Sequence, residues 1–303
     1  MTGGWALWDD YTRFHQAAVD SRDIDPVYPV LAHLAATEGW DEEATTRAIL
    51  LHVAYYDFGS ALTAAHLHLN DEVPFSRLPT ALPCATERRS HRQPAKLAAH
   101  LTALDLELRT HGTARGWLGQ ALHGHSRRAD FEHLARHAAR VHGNGRWAAY
   151  KTAEMLWKVA GWPVTAATLA MDSATGPRQG LALLAGRRPL TEATAQELCA
   201  DLASARLPAG PEEVETTLCD FHALHSGAYY VGHDIDQMQA QLSRAHTTPL
   251  TPAAWQARAA TLPHPYLGEL NGWTGVDRRR KRAYADTGRI LTRSHHDHPH
   301  EGR

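Results

Sequence analysis

The sequence predicts an all-α protein, a bundle of helices, and three observations carry that prediction. Apolar residues recur at spacings of three and four, which places them on one face of a helix. Alternating β-branched runs, the mark of half-buried strands, are nearly absent. Alanine, which loses least on entering a helix, fills the periodic segments.

In chain order, Tyr28 to Thr37 and Glu42 to Leu67 carry the first helical periodicity. Asp41 stands before the second run as an N-cap. Glu42 and Glu43 follow it, where carboxylates meet the positive end of the helix dipole. Pro94 to Arg109, Phe131 to Val141, Arg146 to Ala160 and Glu192 to Ala205 are the next helices. Pro211-Glu212-Glu213 opens another, with proline where its missing N–H costs little, and that helix runs to about Leu224. Ile235 to Ala245 and Thr251 to Thr261 complete the set. Proline and small polar residues mark loops at Val73 to Pro83, Asp172 to Gln179 and Pro208 to Pro211. The expected organisation is one helical domain over 1–293, open to division into two lobes. A polar, His-rich tail over 294–303 has nothing to pack and is expected to be disordered.

Composition narrows the function classes. A content of 43% hydrophobic and 21% charged residues fits a soluble globular protein, and no run of about 20 apolar residues suggests a membrane span. The start, Met1-Thr2-Gly3-Gly4-Trp5, lacks the layout of a signal peptide. Three scattered cysteines, Cys84, Cys199 and Cys219, fit a reducing cytoplasm rather than a disulfide framework. No Cys-x-x-Cys pair suggests zinc, and no metal ligand set is expected. The net charge of −2 argues against a protein that coats DNA by bulk charge. Local basic runs exist all the same, at Arg88-Arg89-Ser90-His91-Arg92, Arg127-Arg128 and Arg278-Arg279-Arg280-Lys281-Arg282. Such runs follow a phosphate backbone in some proteins and are plain solvated faces in most.

Three segments concentrate chemistry. In the first, His142-Gly143-Asn144-Gly145 runs into a helix that opens Arg146-Trp147-Ala148-Ala149-Tyr150-Lys151. Gly143 and Gly145 permit unusual backbone angles, and the helix start offers unpaired N–H groups, so an anion such as DNA phosphate or pyrophosphate would be held there. An ordinary helix–helix turn, with Trp147 in the core, is the plain alternative. The second segment, Asp172-Ser173-Ala174-Thr175-Gly176-Pro177-Arg178-Gln179-Gly180, offers a carboxylate, hydroxyls and a guanidinium able to grip phosphate, or else a capped loop. The third runs from Cys219-Asp220-Phe221-His222 through His225 to Tyr229-Tyr230-Val231-Gly232-His233-Asp234-Ile235-Asp236. Its histidines and aspartates suit proton transfer or a divalent ion. Cys219, in an apolar helix, reads as a packing residue.

At these residues the chain resembles the phage amino acid:DNA transferase family. That family is grouped with the α-glutamyl/putrescinyl-thymine pyrophosphorylases and related in fold to helix-hairpin-helix DNA glycosylases. Asp23-Ile24-Asp25-Pro26 is a weaker echo, and the resemblance runs from about Asp23 to Leu242. It implies an all-α, glycosylase-like bundle acting in the host cytoplasm on double- or single-stranded phage DNA. The substrate implied is 5-pyrophosphoryloxymethyl-deoxyuridine, made by a kinase from 5-hydroxymethyluracil. An amine, commonly that of glycine, displaces pyrophosphate from the 5-methylene carbon. By the same resemblance Gly143 and Gly145 match a DNA-phosphate turn, and Asp172 stands, at a longer spacing, for the Asp that faces a flipped nucleotide.

Residue chemistry assigns the parts. Arg146, Lys151 and Arg178 would neutralise the leaving pyrophosphate, with Mg2+ on that group as the one cofactor the chemistry admits. Asp172, Asp220, His222 or His225 would take the proton of the amine. Trp147 or Tyr230 would stack on a base taken out of the helix, and Tyr229, His233, Asp234 and Asp236 would hold base or amino acid. A helical DNA glycosylase or lyase, and a non-enzymatic DNA-binding protein, are the competing readings.

Overall fold

The computed structural model describes residues 4–172, 174–264 and 276–288. The predicted tail over 294–303 and Ser173 lie outside them. Among the described residues every regular element is helical. In order these are α1 (Trp8–Ser21), α2 (Val27–Thr37), α3 (Glu42–Tyr55), α4 (Phe58–Leu69), α5 (Pro94–His111), α6 (Ala114–Gly119) and α7 (Arg127–Ala138). They continue with α8 (Arg146–Lys158), α9 (Thr175–Ala185), α10 (Glu192–Ser204), α11 (Pro211–His225), α12 (His233–Ser243), α13 (Leu250–Thr261) and α14 (Val276–Thr287). Short 3-10 turns at Phe75–Arg77 and Thr86–Arg92 lie between α4 and α5. None of these helices is long and apolar enough to cross a membrane.

Two elements differ from the periodicity reading for identifiable reasons. The run from Glu42 to Leu67 is two helices. Tyr56 takes a left-handed conformation (φ 51°) that ends α3, and the Asp57 carboxylate accepts the Ser60 N–H at 2.9 Å to start α4. Apolar residues continue on both sides of this break, so spacing alone does not reveal it. The predicted loop over Asp172 to Gln179 is helical from Thr175 onward. Helix α1, with its polar opening Trp8-Asp9-Asp10, was not predicted, and neither were α6 and α14.

The chain folds as two compact units. The first comprises 1–26, 168–240 and 262–303, and the second 27–167 and 241–261. In the first, Tyr11 and Phe14 of α1 pack with Leu181 and Leu184 of α9, Leu198 and Leu202 of α10, and Val214, Leu218 and Phe221 of α11. Helices α9 and α11 meet at backbone distance. A Cβ on Gly180 would lie 1.9 Å from the Leu218 carbonyl oxygen, and a Cβ on Gly176 would lie within 2.4 Å of Cys219 Sγ. These glycines, four apart on one helix face, are therefore demanded by close approach. In the second unit α3 is the central helix, buried from Thr45 to Tyr55 apart from Arg47, with α4 and α8 packed on it. Helix α8 is also packed by α7, and α13 by α2 and α4.

Gly180→Ala is expected to destabilise the protein by about 2–3 kcal/mol in urea unfolding, because two backbones must separate. Gly119→Ala is the contrast. Nothing lies within 4 Å of its would-be Cβ, so the change is expected to raise stability by no more than about 1 kcal/mol. Equal effects of the two substitutions would contradict the glycine contact.

Candidate functional site

The first unit gathers carboxylates around the end of α1. That helix stops with Arg22 in the left-handed region (φ 59°), and the Asp23 N–H returns to the Ala18 carbonyl at 3.0 Å. This reversal turns Asp23 inward, where it is wholly buried. Its Oδ2 accepts the Tyr229 hydroxyl at 2.6 Å and the Gly232 N–H at 2.5 Å, and its Oδ1 accepts the Ile235 N–H at 3.0 Å. Asp23 thus caps the start of α12 from a distant part of the chain. Gly232 (φ 101°) supplies the backbone turn that presents its N–H.

Further acids crowd this point. Burial, then the charge of Asp234, pushes the Asp23 carboxyl up to about 7 against the pull of its three donors. Burial also raises Asp220 well above the usual carboxylate range, followed by the charges of Asp234, Asp23, Asp25 and Glu215. Asp220 Oδ2 is sealed from solvent and accepts no hydrogen bond among the described residues. His233 Nδ1 lies 3.0 Å from Asp234 Oδ1. Burial lowers the imidazole's pKa, but Asp234 and the other acids outweigh it, so the ring holds its proton more firmly than a free histidine. Chemically the cluster can hold or accept protons near neutrality and can attract a cation.

The packing of α9 on α11 sets the second predicted segment beside the third, because Gly176 lies against Cys219, the neighbour of Asp220. Asp172 and Arg178 are exposed and line one shallow cavity of about 380 Å3. A second cleft of about 610 Å3 is ringed by Phe14, Phe221, Tyr229 and Tyr284, with Arg13 and Lys281 in its wall. His225 lines it too, its ring edge-on to Phe221 at 4.5 Å, and His222 is half-buried one turn earlier on α11. Cys219 packs against α9 as read from sequence.

The fold itself uses three residues that were expected to meet ligand. Asp236 is buried, accepts the Tyr230 hydroxyl at 2.7 Å and lies 2.6 Å from Arg280 Nη1, itself buried. Asp236 therefore neutralises one arginine of the basic run rather than an ammonium, and Tyr230 is tied to it. Lys151, in the second unit, is 4% exposed and pairs with Glu154 at 2.8 Å; Glu154 also accepts from Tyr28. A helix position one turn inside α8 faces the core, which explains why Lys151 is not displayed at the helix mouth.

The glycine turn also lies in the second unit. Gly143 has φ +89°, as the turn requires, whereas Gly145 has an ordinary extended conformation and serves as the N-cap of α8. Arg146 is exposed at the helix mouth. Trp147 is half-buried, edge-on to Tyr56 at 4.6 Å, and Tyr150 packs on Phe131 in the core. Among the described residues no three His, Cys, Asp or Glu side chains are grouped to hold a metal ion. Sequence reading gave Asp23 little weight. The available signal was the twice-written Asp-Ile-Asp, at residues 23–25 and 234–236, whose first members face each other through their charges.

A family model described as amino acid:DNA transferase matches residues 10–230. No curated protein matches the chain.

The acid cluster makes stability depend on pH. Asp23 is raised in the fold, so the folded state binds more protons than the unfolded chain between about pH 4 and 7. Its contribution is complete below that window and is lost as pH rises through it. Asp234→Asn removes the like charge beside Asp23 but also the carboxylate paired with His233, so it is expected to destabilise the protein at pH 5, where Asp23 is neutral and His233 charged, and to cost less or to stabilise at pH 8, in denaturant titrations. An identical effect at both pH values would show that the two carboxylates do not interact.

Proposed function

The chain belongs to the amino acid:DNA transferase family and is an enzyme that moves an amino acid onto DNA; from that premise we propose the bond it makes. The amine attacks the 5-methylene carbon of 5-pyrophosphoryloxymethyl-deoxyuridine. The new C–N bond forms as the C–O bond to pyrophosphate breaks, and pyrophosphate leaves with the electron pair. The donor arrives as an ammonium and must give up a proton to become a nucleophile. Asp220 takes it, with Asp234 and His233 holding the charge of the cluster in balance. Glycine is the donor expected, and the DNA that of a phage carrying modified uracil.

The observation that carries this reading is Asp220 itself, half-buried on α11 and crowded by other acids, with one of its carboxylate oxygens, Oδ2, lacking a donor among the described residues. A carboxylate so placed favours a proton or a cation, as base catalysis on an ammonium requires. The exposed Arg178 guanidinium, on the helix packed against α11, suits the leaving pyrophosphate. The aromatic cleft of about 610 Å3 is far larger than glycine needs and suits the planar base, taken out of the stack. Mg2+ enters the proposal only as an ion carried on the pyrophosphate. The described residues offer it no ready ligand group, and no step is routed through it.

The test is direct. Purified protein, DNA bearing the pyrophosphorylated base and a panel of amino acids should yield one amino-acid adduct by nucleoside mass spectrometry, with one pyrophosphate released per adduct. Unchanged bases with every donor would refute the reading, and abasic sites would support a glycosylase instead. Asp220→Asn is expected to lower kcat at least about 100-fold with the fold intact. In the wild type, kcat/KM should rise with pH as Asp220 loses its proton, and that limb should vanish in the variant. Full activity in Asp220→Asn would exclude it as the base.

A further inference from the structure

Helix α14 carries the basic run Arg278-Arg279-Arg280-Lys281-Arg282, and the fold splits that run in two. One arginine goes inward. Arg280 is 2% exposed, and its Nη1 lies 2.6 Å from Asp236 Oδ2 on α12. Asp236 also accepts from Tyr230 and, at 3.2 Å, from Gln239 Nε2. One turn after Arg280, Tyr284 is half-buried against the core of the first unit. These two side chains, four apart and so on one face, fix α14 to α12 and to that core.

The other arginines go outward. Arg278, Arg279 and Arg282 are exposed. On a helix they share an arc of about 100°, opposite to the face of Arg280 and Tyr284. Arg278 and Arg282 are one turn apart, about 6 Å along the axis. No carboxylate among the described residues forms an ion pair with any of the three, and the exposed Asp286, one turn beyond Arg282, pairs with none of them. Helix stability does not ask for this arrangement. Like charges three and four apart repel, and Arg278 and Arg279 stand near the start of α14, where cations oppose the helix dipole. Lys281 stands between the two faces and, with Tyr284, lines the aromatic cleft of about 610 Å3. The exposed arginines follow on the side of Lys281 away from the buried face.

We propose that α14 is a rail for the phosphate backbone of the DNA strand whose base enters the cleft. Arg278, Arg279 and Arg282 make the contacts, and Arg280 anchors the rail through Asp236. The proposal rests on the reading that the chain acts on DNA, and α14 lies beyond the residues 10–230 matched by the family model. A lipid surface suits this helix less well. A helix that lies on a membrane buries an apolar face there, and the exposed described residues of α14 are Arg278, Arg279, Arg282, Ala285, Asp286 and Thr287.

The test measures binding of the whole chain to unmodified duplex and single-stranded oligonucleotides by fluorescence anisotropy over a range of salt. The triple variant Arg278→Gln, Arg279→Gln, Arg282→Gln is expected to bind at least about tenfold more weakly on every sequence, with a salt slope shallower by about two to three. Lysine at the same three positions should keep most of both, because a backbone phosphate is met there as charge. Arg127→Gln, Arg128→Gln, Arg136→Gln removes three exposed arginines of α7 and controls for bulk charge; it should weaken binding by no more than about threefold. All these side chains are exposed, so every variant should unfold at the wild-type temperature. Equal losses from the two glutamine triples would reduce the effect to net charge and overturn the rail, as would wild-type affinity and slope in the α14 triple. Wild-type protein that binds no oligonucleotide would remove the premise as well. Binding to phosphatidylcholine–phosphatidylserine vesicles that needs the three arginines, with DNA affinity indifferent to them, would overturn the assignment in favour of a membrane surface. Thermal protection by free pyrophosphate on the same terms would assign the run to the leaving group instead.

Discussion

One buried carboxylate organises the chemistry-bearing unit. Asp23 is turned inward by the left-handed end of α1 and accepts from Tyr229, Gly232 and Ile235, so it joins the first helix to a segment more than two hundred residues later. Three donors on one carboxylate satisfy the start of α12 and fix the Tyr229 ring in the wall of the aromatic cleft. The position of Asp234 and His233 at the first turn of α12 follows from that cap. Without it the acid cluster would have no common centre.

The cluster works against stability. Burial and mutual repulsion both disfavour charge on Asp23 and Asp220, and among the described residues neither is ion-paired with a lysine or arginine. Arg280, buried in the same unit, is committed to Asp236. Groups that exchange protons near neutrality are found most often where a function uses them, and the base role proposed for Asp220 is such a use. The second unit shows the converse. Its buried Arg88 keeps a positive charge among imidazoles that stay neutral, and its buried Lys151 is cancelled by Glu154. Two cations at similar depth therefore differ in kind: one is consumed by the fold and the other is left over.

Helical periodicity was legible because most helices bury one face, and α2, α5, α8, α10, α11 and α13 lie within a few residues of where spacing put them. The break at Tyr56-Asp57 was not legible. It depends on one left-handed residue and one capping carboxylate between two apolar stretches, and hydrophobic spacing carries no record of either. The glycines at 176 and 180 were seen as part of a polar loop. Their role, a backbone-to-backbone crossing with α11, exists only once the partner helix is in place.

Residue type alone determined the helical class, the three segments rich in reactive groups, and membership of a family that modifies DNA. Which members of those segments are committed inside the fold was decided by tertiary structure. Lys151, Tyr230 and Asp236 were candidates by type and are spent inside the fold, whereas Asp23 and Arg88, lightly weighted by type, are buried at the centre of hydrogen-bond networks. The physical reason is that a side chain's chemistry is local, but its protonation and its freedom to bind depend on burial and on neighbours that come from far along the chain.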